Sequence, residues 1–154
     1  MFPRPEDQAG CKYPRDGLLP AYGVVKDKEI RSPQQLDAEG YKCFLVVKYG
    51  LTTGTTVGRV NGLDAFTRVY TEYDIKETSV EVAVLPCDRK RGAISAPRDS
   101  GAIVLERGGG IVGMLTGGGG ATEETDSTYV TPYWWLDEQI KEVLPGCYIY
   151  DVVQ

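Results

Sequence analysis

One short segment carries the residue types that nucleophilic catalysis requires. Residues 95–101 read SAPRDSG, a run of small and turn-forming residues that brings Asp99 and Ser100 to the start of the apolar segment 102–105. A nucleophilic serine needs a tight turn with backbone N–H groups beside it that can bind the oxyanion formed in acyl transfer. Gly101 gives such a turn its conformational room. The segment indicates a serine nucleophile at Ser100, although the same tripeptide also occurs in ordinary β-turns.

The chain contains 154 residues and no histidine, which removes most ways of activating this serine. It excludes a Ser-His-Asp or Cys-His arrangement and a histidine-containing zinc site within the chain. It also leaves no side chain whose ordinary pKa lies near 7 to act as a general base. A Ser–Lys pair is an alternative that Lys48 or Lys90 could supply, but the sequence places neither lysine near Ser100. We expect both to be solvated surface lysines rather than the base of such a pair.

Composition and charge indicate one soluble globular domain. Apolar residues make up 42% and charged residues 25% of the chain, as in folded proteins. The length suits one domain, with or without a tail. The formal charge of −5 argues against binding to nucleic-acid phosphates and against attraction to an anionic membrane. We therefore predict no nucleic acid and no membrane as partners.

The four cysteines, at positions 11, 43, 87 and 147, form no C-x-x-C motif. This spacing argues against a zinc ribbon or a redox motif, and it leaves three disulfide pairings open. The first seven residues, MFPRPED, contain no apolar run of the kind that a secretory signal has. We therefore expect a cytoplasmic location, with cysteines that are mostly reduced and buried.

Glycine-rich segments match nucleotide-binding loops in spacing but not in context. Gly108, Gly110 and Gly113 have the spacing of the dinucleotide fingerprint, yet a predicted strand follows where that motif requires a helix. Residues 117–120 are four glycines without the Lys-Ser/Thr of a phosphate-binding loop, so we predict a flexible loop beside a cleft. The acidic stretch 123–126 is typical of a surface loop rather than a cation site. We predict no cofactor and no metal.

The pattern of apolar residues predicts an all-β fold that ends in one α-helix. Alternating or β-branched runs bounded by turn residues mark the predicted strands, which are 43–48, 52–60, 67–70, 79–85, 102–105, 111–115 and 127–131. Asn61 and Gly62 are typical of a hairpin turn. Apolar and charged residues interleave over 133–144, which predicts a helix that Pro145 and Gly146 end. Six or seven short strands of this kind fit one six-stranded antiparallel barrel over residues 41–132.

Residues 1–40 differ from the rest because they hold five of the nine prolines. They predict an extended, proline-rich connecting arm, followed by the barrel and terminal helix over residues 41–154. Ser32 and Pro33 are expected to open a short helical turn, with Ser32 as its N-cap. Trp134 and Trp135 must face different sides of the terminal helix, so we expect one in the core and the other against the arm or a partner.

Several motifs, taken in order, resemble the C-terminal barrel of chymotrypsin- and trypsin-like serine proteases over residues 41–144. Residues 99–101, DSG, match the last three residues of the family's GDSG motif. Residues 111–117, IVGMLTG, resemble the strand that lines its substrate cleft. Residues 129–136, YVTPYWWL, resemble its last strand and the start of its C-terminal helix. Residues 48–58, KYGLTTGTTVG, are similar to a segment of microbial, especially fungal, trypsin-like proteins.

The resemblance implies a role for each matching residue. Ser100 would be the nucleophile of a serine endopeptidase that works through an acyl-enzyme, and the backbone N–H groups of Arg98 and Ser100 would form its oxyanion hole. Asp99 and Gly101 would support the turn. The substrate pocket would be lined by Ile94, Leu115, Thr116, Gly117 and Thr128. Because no acidic residue stands at position 94, the resemblance does not imply selection for Lys or Arg substrates.

Two departures from the family limit what the resemblance implies. Arg98 stands where the family has glycine, and arginine cannot take the conformations of glycine freely, so the oxyanion hole could be misaligned. The family's His and Asp come from an N-terminal barrel, which residues 1–40 are too short to form. The chain is therefore expected to be a nucleophile-bearing half that is inactive alone, or alternatively a non-catalytic pseudoprotease barrel that binds proteins.

Both hypotheses make proteins or peptides the expected ligands. The first requires a complementing chain that supplies the missing His and Asp. A single barrel of a two-barrel pair should also expose an apolar face, which predicts either that complementing chain or a second copy of this one.

Overall fold

The computed structural model describes residues 20–37, 39–70, 76–87, 92–120 and 127–149. In this part of the chain the elements are α1 (Asp27–Arg31), β1 (Gln35–Leu36), β2 (Lys42–Gly50), β3 (Gly54–Tyr70), β4 (Lys76–Pro86), β5 (Ile103–Glu106), β6 (Ile111–Gly119), β7 (Ser127–Pro132) and α2 (Tyr133–Val143). Cys11, Lys90 and the acidic stretch 123–126 lie outside the described residues.

Six strands close into an antiparallel barrel. Their order is β2-β3-β4-β7-β6-β5, and β5 pairs back with β2 to close the sheet. β1 lies outside this circle and pairs with the start of β2. The predicted all-β fold, a six-stranded antiparallel barrel with a C-terminal helix, is confirmed.

β-branched residues fill the barrel, because every second side chain of a strand points inward and branched side chains suit a pleated surface. The most completely buried apolar side chains are the valines at positions 46, 60, 84, 104, 112 and 130. Trp134 packs against this core, whereas Trp135 is 44% exposed. The expectation that one tryptophan packs in the core is confirmed for Trp134, and contact of Trp135 with the arm or a partner stays a prediction.

β3 is longer than predicted and does not turn at Asn61 and Gly62. It continues from Gly54 to Tyr70, with a bulge between Val60 and Asp64 where the register against β4 shifts. Gly62 has a φ of +83°, and a Cβ there would lie 2.9 Å from the carbonyl oxygen of Arg31. The predicted hairpin turn is therefore wrong, because the Asn-Gly pair forms a bulge inside one strand.

The predicted helical turn at Ser32 and Pro33 is also wrong. α1 precedes these residues, and Ser32 is its C-cap, with its N–H donating to the carbonyl oxygen of Lys28 at 3.1 Å. The residue before a proline is pushed out of the helical conformation, so Pro33 ends this helix instead of starting one.

The described end of the arm is tied to the start of β6. The N–H of Val25 donates to the carbonyl oxygen of Ile111 at 2.9 Å, and the N–H of Ile111 donates to that of Gly23 at 3.1 Å. Val24 and Ile111 form a parallel bridge. No helix in the described ranges is both long and apolar enough to span a membrane.

Three cysteines are described, and none of them forms a disulfide with another: Cys43 is buried, Cys87 is half-buried and Cys147 is exposed. Burial raises the pKa of the Cys43 thiol to about 11, and the electrostatic effects of Asp37 and Cys87 act in the same direction. The positive charge of Arg59 acts in the opposite direction. Cys43 is therefore a neutral thiol at neutral pH. The expectation of buried thiols holds for Cys43 and is wrong for Cys147.

Candidate active site

Two consecutive turns, which together span residues 96–102 and are called the double turn below, precede β5. In the first, the N–H of Asp99 donates to the carbonyl oxygen of Ala96 at 3.1 Å. Pro97 is its second residue and Arg98 its third, and the φ of Arg98 is +83°. Proline second and a positive φ third are typical of a type II turn. Arg98 therefore takes the glycine-like conformation that its side chain disfavours, at a cost of roughly 1–2 kcal/mol.

A hydrogen bond sets the orientation of the peptide between Pro97 and Arg98. The Oγ1 hydroxyl of Thr52 donates to the carbonyl oxygen of Pro97 at 2.7 Å. The N–H and C=O of a trans peptide point in opposite directions, so the N–H of Arg98 is directed away from Thr52. Within the described ranges, neither the N–H of Arg98 nor that of Ser100 donates a hydrogen bond. Two free N–H groups beside a serine are what an oxyanion site requires.

The second turn presents Ser100. The N–H of Ala102 donates to the carbonyl oxygen of Asp99 at 3.1 Å, and Gly101, in third position, has a φ of +88°. The N–H of Gly101 donates to the carbonyl oxygen of Leu115 at 2.8 Å, and the N–H of Leu115 donates to the carbonyl oxygen of Ala102 at 2.9 Å. These two hydrogen bonds join the turn to β6. Ser100 is exposed at its second position, so a base from outside the described residues could reach its hydroxyl.

The carboxylate of Asp99 is buried and anchors the double turn. Lys48 Nζ lies 3.0 Å from Oδ2, to which Thr53 Oγ1 and the N–H of Ala96 also donate, at 2.6 and 3.1 Å. The N–H of Thr52 donates to Oδ1 at 2.7 Å. Burial by itself raises the pKa of the Asp99 carboxyl, but these hydrogen bonds outweigh burial and hold the pKa well below its ordinary value. Asp99 is therefore ionised at neutral pH.

The amino group of Lys48 is engaged by acceptors other than Ser100. Its ammonium contacts Asp99, Thr53 Oγ1 and the carbonyl oxygen of Gly54, the last at 3.4 Å. An ammonium has three protons, and these three acceptors use them all. Lys48 is therefore a positioning residue for the double turn, and its geometry does not fit the base of a Ser–Lys pair.

A cleft of about 310 Å³ opens beside Ser100. Its walls are the loop residues Ser95, Ala96 and Pro97 on one side and Leu115 with residues 117–120 on the other. Of the four consecutive glycines, the first three are the end of β6, so the prediction of a loop there is wrong. Because these positions have no side chains, the backbone itself forms that wall of the cleft.

The cleft edge of β6 is open. β5 pairs with β6 as far as Met114, and the double turn bonds to Leu115. Beyond Leu115, this edge pairs with none of the described strands, while the opposite edge continues to pair with β7. An open strand edge can accept an extended peptide as an additional strand.

The predicted pocket residues do not all lie on the cleft. Leu115 and Gly117 line it together with Ser100. Thr116 is exposed beside them and donates to the carbonyl oxygen of Tyr129 at 3.4 Å. Thr128 is buried behind the cleft.

Ile94 lies in the hydrophobic core and fastens the loop to the barrel through its backbone. The Oγ1 hydroxyl of Thr56 donates to the carbonyl oxygen of Ile94 at 2.7 Å. The next residue, Ser95, lines the cleft, and its Oγ lies 2.8 Å from Thr128 Oγ1. Sequence reasoning missed Ser95, although its place at the start of the small-residue loop was a usable signal.

Comparison with solved structures finds six similar chains. No protein-family model matches the chain, and no curated protein matches it. The crystal structure of a chymotrypsin from Cellulomonas bogoriensis is 20% identical over 65% of this chain, with a TM-score of 0.43. The matched part spans 46% of that chymotrypsin chain.

Proposed function

We propose that this chain is the nucleophile-bearing half of a trypsin-like serine endopeptidase, inactive until a histidine and an aspartate are supplied from elsewhere. The observation that carries the proposal is the geometry of the double turn. Ser100 is exposed on a tight turn, and the N–H groups of Arg98 and Ser100 have no acceptor among the described residues. That combination of a nucleophile and an oxyanion site serves acyl transfer.

The proposed reaction takes two steps at Ser100. Its Oγ attacks a peptide carbonyl carbon and gives its proton to the supplied base, and the N–H groups of Arg98 and Ser100 stabilise the oxyanion. The C–N bond then breaks, the leaving amine takes that proton, and an ester on Ser100 remains. Water, deprotonated by the same base, attacks the ester and releases the acid, which restores the hydroxyl.

We expect the base to come from outside this sequence. The sequence contains no histidine, and Lys48 is committed to Asp99. A partner polypeptide or a further part of a longer protein would bring the histidine to the exposed side of Ser100. The carboxylate that orients that histidine would come with it.

The cleft favours an extended peptide as the substrate. A peptide backbone could pair with the open edge of β6, which would place one of its side chains between that edge and the loop at Ser95. No described residue that lines the cleft is charged, whereas Ser95 contributes a hydroxyl. We therefore propose that small or uncharged side chains are accepted there.

A non-catalytic role is the second candidate, and the absence of histidine favours it. In that case the same cleft binds peptides without cleaving them, as a pseudoprotease would. Ser100 would then be a turn residue whose hydroxyl has no chemical task.

Labelling with a fluorophosphonate probe distinguishes the two candidates. The probe is applied to the purified chain alone and to the chain added to a lysate of its source cells. Ser100→Ala is the test variant. Ser95→Ala is the matched control, because it removes another hydroxyl from the same cleft.

Each outcome has a definite meaning. Labelling that appears only in lysate, is lost in Ser100→Ala and is kept in Ser95→Ala supports the half-enzyme. Labelling of the isolated chain at Ser100 means that an internal group acts as the base and contradicts the need for a partner. The absence of Ser100-dependent labelling in both settings rejects the half-enzyme in favour of the binding module.

A further inference from the structure

A second cavity, of about 580 Å³, lies where residues of α1, β3, β4 and the start of α2 come together. β3 connects it with the region of Ser100, since this strand starts at Gly54 beside Lys48 and reaches the cavity at its bulge, near Asp64. The apolar walls are formed by Ile30, Leu63, Val80, Val82, Trp134 and Trp135. The volume is that of a small-molecule site.

The charged residues around this cavity leave an excess of negative charge. Three carboxylates, those of Asp27, Asp64 and Glu81, face one guanidinium, that of Arg31. Arg31 is already shared, because its Nε lies 2.8 Å from Asp27 Oδ2 and its Nη1 lies 2.7 Å from Asp64 Oδ2. Among the described residues, Glu81 therefore has no cationic partner.

Glu81 is the most informative residue of the cavity. It is only 7% exposed, and the one donor to it within the described ranges is the hydroxyl of Thr131, at 2.8 Å from Oε2. A carboxylate that is removed from water is costly unless a cation or several donors compensate for it. A ligand cation beside Glu81 would supply that compensation.

The two tryptophans favour a ligand that is aromatic or cationic. Their ring faces attract ammonium groups as well as apolar surface. The indole Nε1 of Trp134 is buried and has no acceptor within the described ranges.

We propose that this cavity binds a small organic amine, with its apolar body against Trp134 and Trp135 and its ammonium group on Glu81. The site is separate from the Ser100 cleft and does not depend on the proposed protease function.

Tryptophan fluorescence can report on this site directly. The chain has two tryptophans, and both line the cavity. The purified chain is titrated with 2-phenylethylamine, which is a cation at neutral pH, with the uncharged 2-phenylethanol and with the anionic 3-phenylpropionate. We expect the amine to bind about tenfold more tightly than the alcohol, and the difference to shrink at high salt.

Two glutamate variants isolate the charge. Glu81→Gln keeps the size of the side chain and an acceptor for Thr131 but removes the charge, so we expect it to lose the preference for the amine. Glu77→Gln is the matched control, since Glu77 is exposed on the same strand and does not line the cavity. It should keep the preference unchanged.

Three results would overturn the proposal. These are equal affinities for the amine and the alcohol, a preference that survives in Glu81→Gln, and no fluorescence response to any of the three compounds. Should Glu81→Gln not fold, Thr131→Lys replaces it as the test. Thr131 lines the cavity and contacts Glu81, so a lysine there places a competing ammonium beside the carboxylate and should abolish amine binding; unchanged binding overturns the proposal as well.

Discussion

Lys48 Nζ lies 3.0 Å from Asp99 Oδ2, and the side chains of the two residues are 2% and 0% exposed. They are 51 positions apart, one on β2 and the other in the double turn. Neither residue lines the cleft beside Ser100. The pair therefore acts on the candidate nucleophile indirectly, by fastening the turn that presents it to the wall of the barrel.

Replacing Lys48 by methionine should destabilise the fold strongly. It would leave the charge of Asp99 buried without its cation, and breaking a buried pair in this way costs about 3–5 kcal/mol. Urea unfolding followed by circular dichroism measures the loss. Lys141→Met is the control, because the Lys141–Asp137 pair lies on the surface of α2 and should cost less than about 1 kcal/mol. Equal losses in the two variants would contradict the role of the buried pair.

Acid should weaken the fold through Asp99. Its pKa is held below the ordinary value in the folded chain, so folding favours the ionised carboxylate. This stabilisation is fully present above the ordinary aspartate pKa of about 4 and is lost progressively as the pH falls below it. Urea midpoints measured from pH 7 to pH 2 should decline over the acidic part of that range. In Asp99→Asn the midpoint should be lower at pH 7 and the decline shallower; an unchanged decline would refute this assignment.

Replacing Arg98 by glycine should stabilise the chain. The substitution removes roughly 1–2 kcal/mol of strain at the positive φ. Glycine also has more conformational entropy in the unfolded chain, which offsets about half of that gain. The expected net gain is therefore about 0.5–1 kcal/mol. Arg98→Ala keeps a Cβ at the same φ of +83°, so its stability should change by less than about 0.5 kcal/mol. Thermal unfolding of both variants tests this, and identical midpoints would mean that strain at Arg98 is not significant.

Gly50→Ala should disturb the buried pair of Lys48 and Asp99 by steric overlap. A Cβ at Gly50 would collide with the carboxyl group of Asp99 and would lie 2.7 Å from Lys48 Nζ. Overpacking of this kind typically costs about 1–3 kcal/mol. At Gly117 a Cβ meets no atom within 4 Å, so Gly117→Ala should be nearly neutral. Chemical denaturation of both variants compares them, and a neutral Gly50→Ala would show that the pair can move aside freely.

Much of the candidate site follows from local sequence, and the parts that were missed are tertiary. The double turn can be predicted from the sequence, because Pro97 and Gly101 have strong turn preferences. The role of Lys48 cannot be predicted in this way, since nothing in its surroundings on β2 points to a carboxylate 51 positions away. The same limit applies to Ile94, whose side chain could have faced either the cleft or the core until the barrel closed around it.

The sequence by itself determined the class of fold and the place of the candidate nucleophile. Alternating apolar residues specify strands, and proline, glycine and aspartate specify turns, because both effects act between near neighbours in the chain. Only the tertiary structure decided which charges are buried together, that residues 61–62 form a bulge, and that Glu81 lies at the wall of a cavity without a cation among the described residues. Those outcomes depend on which strands become neighbours when the barrel closes, and that pairing joins residues that are far apart in the chain.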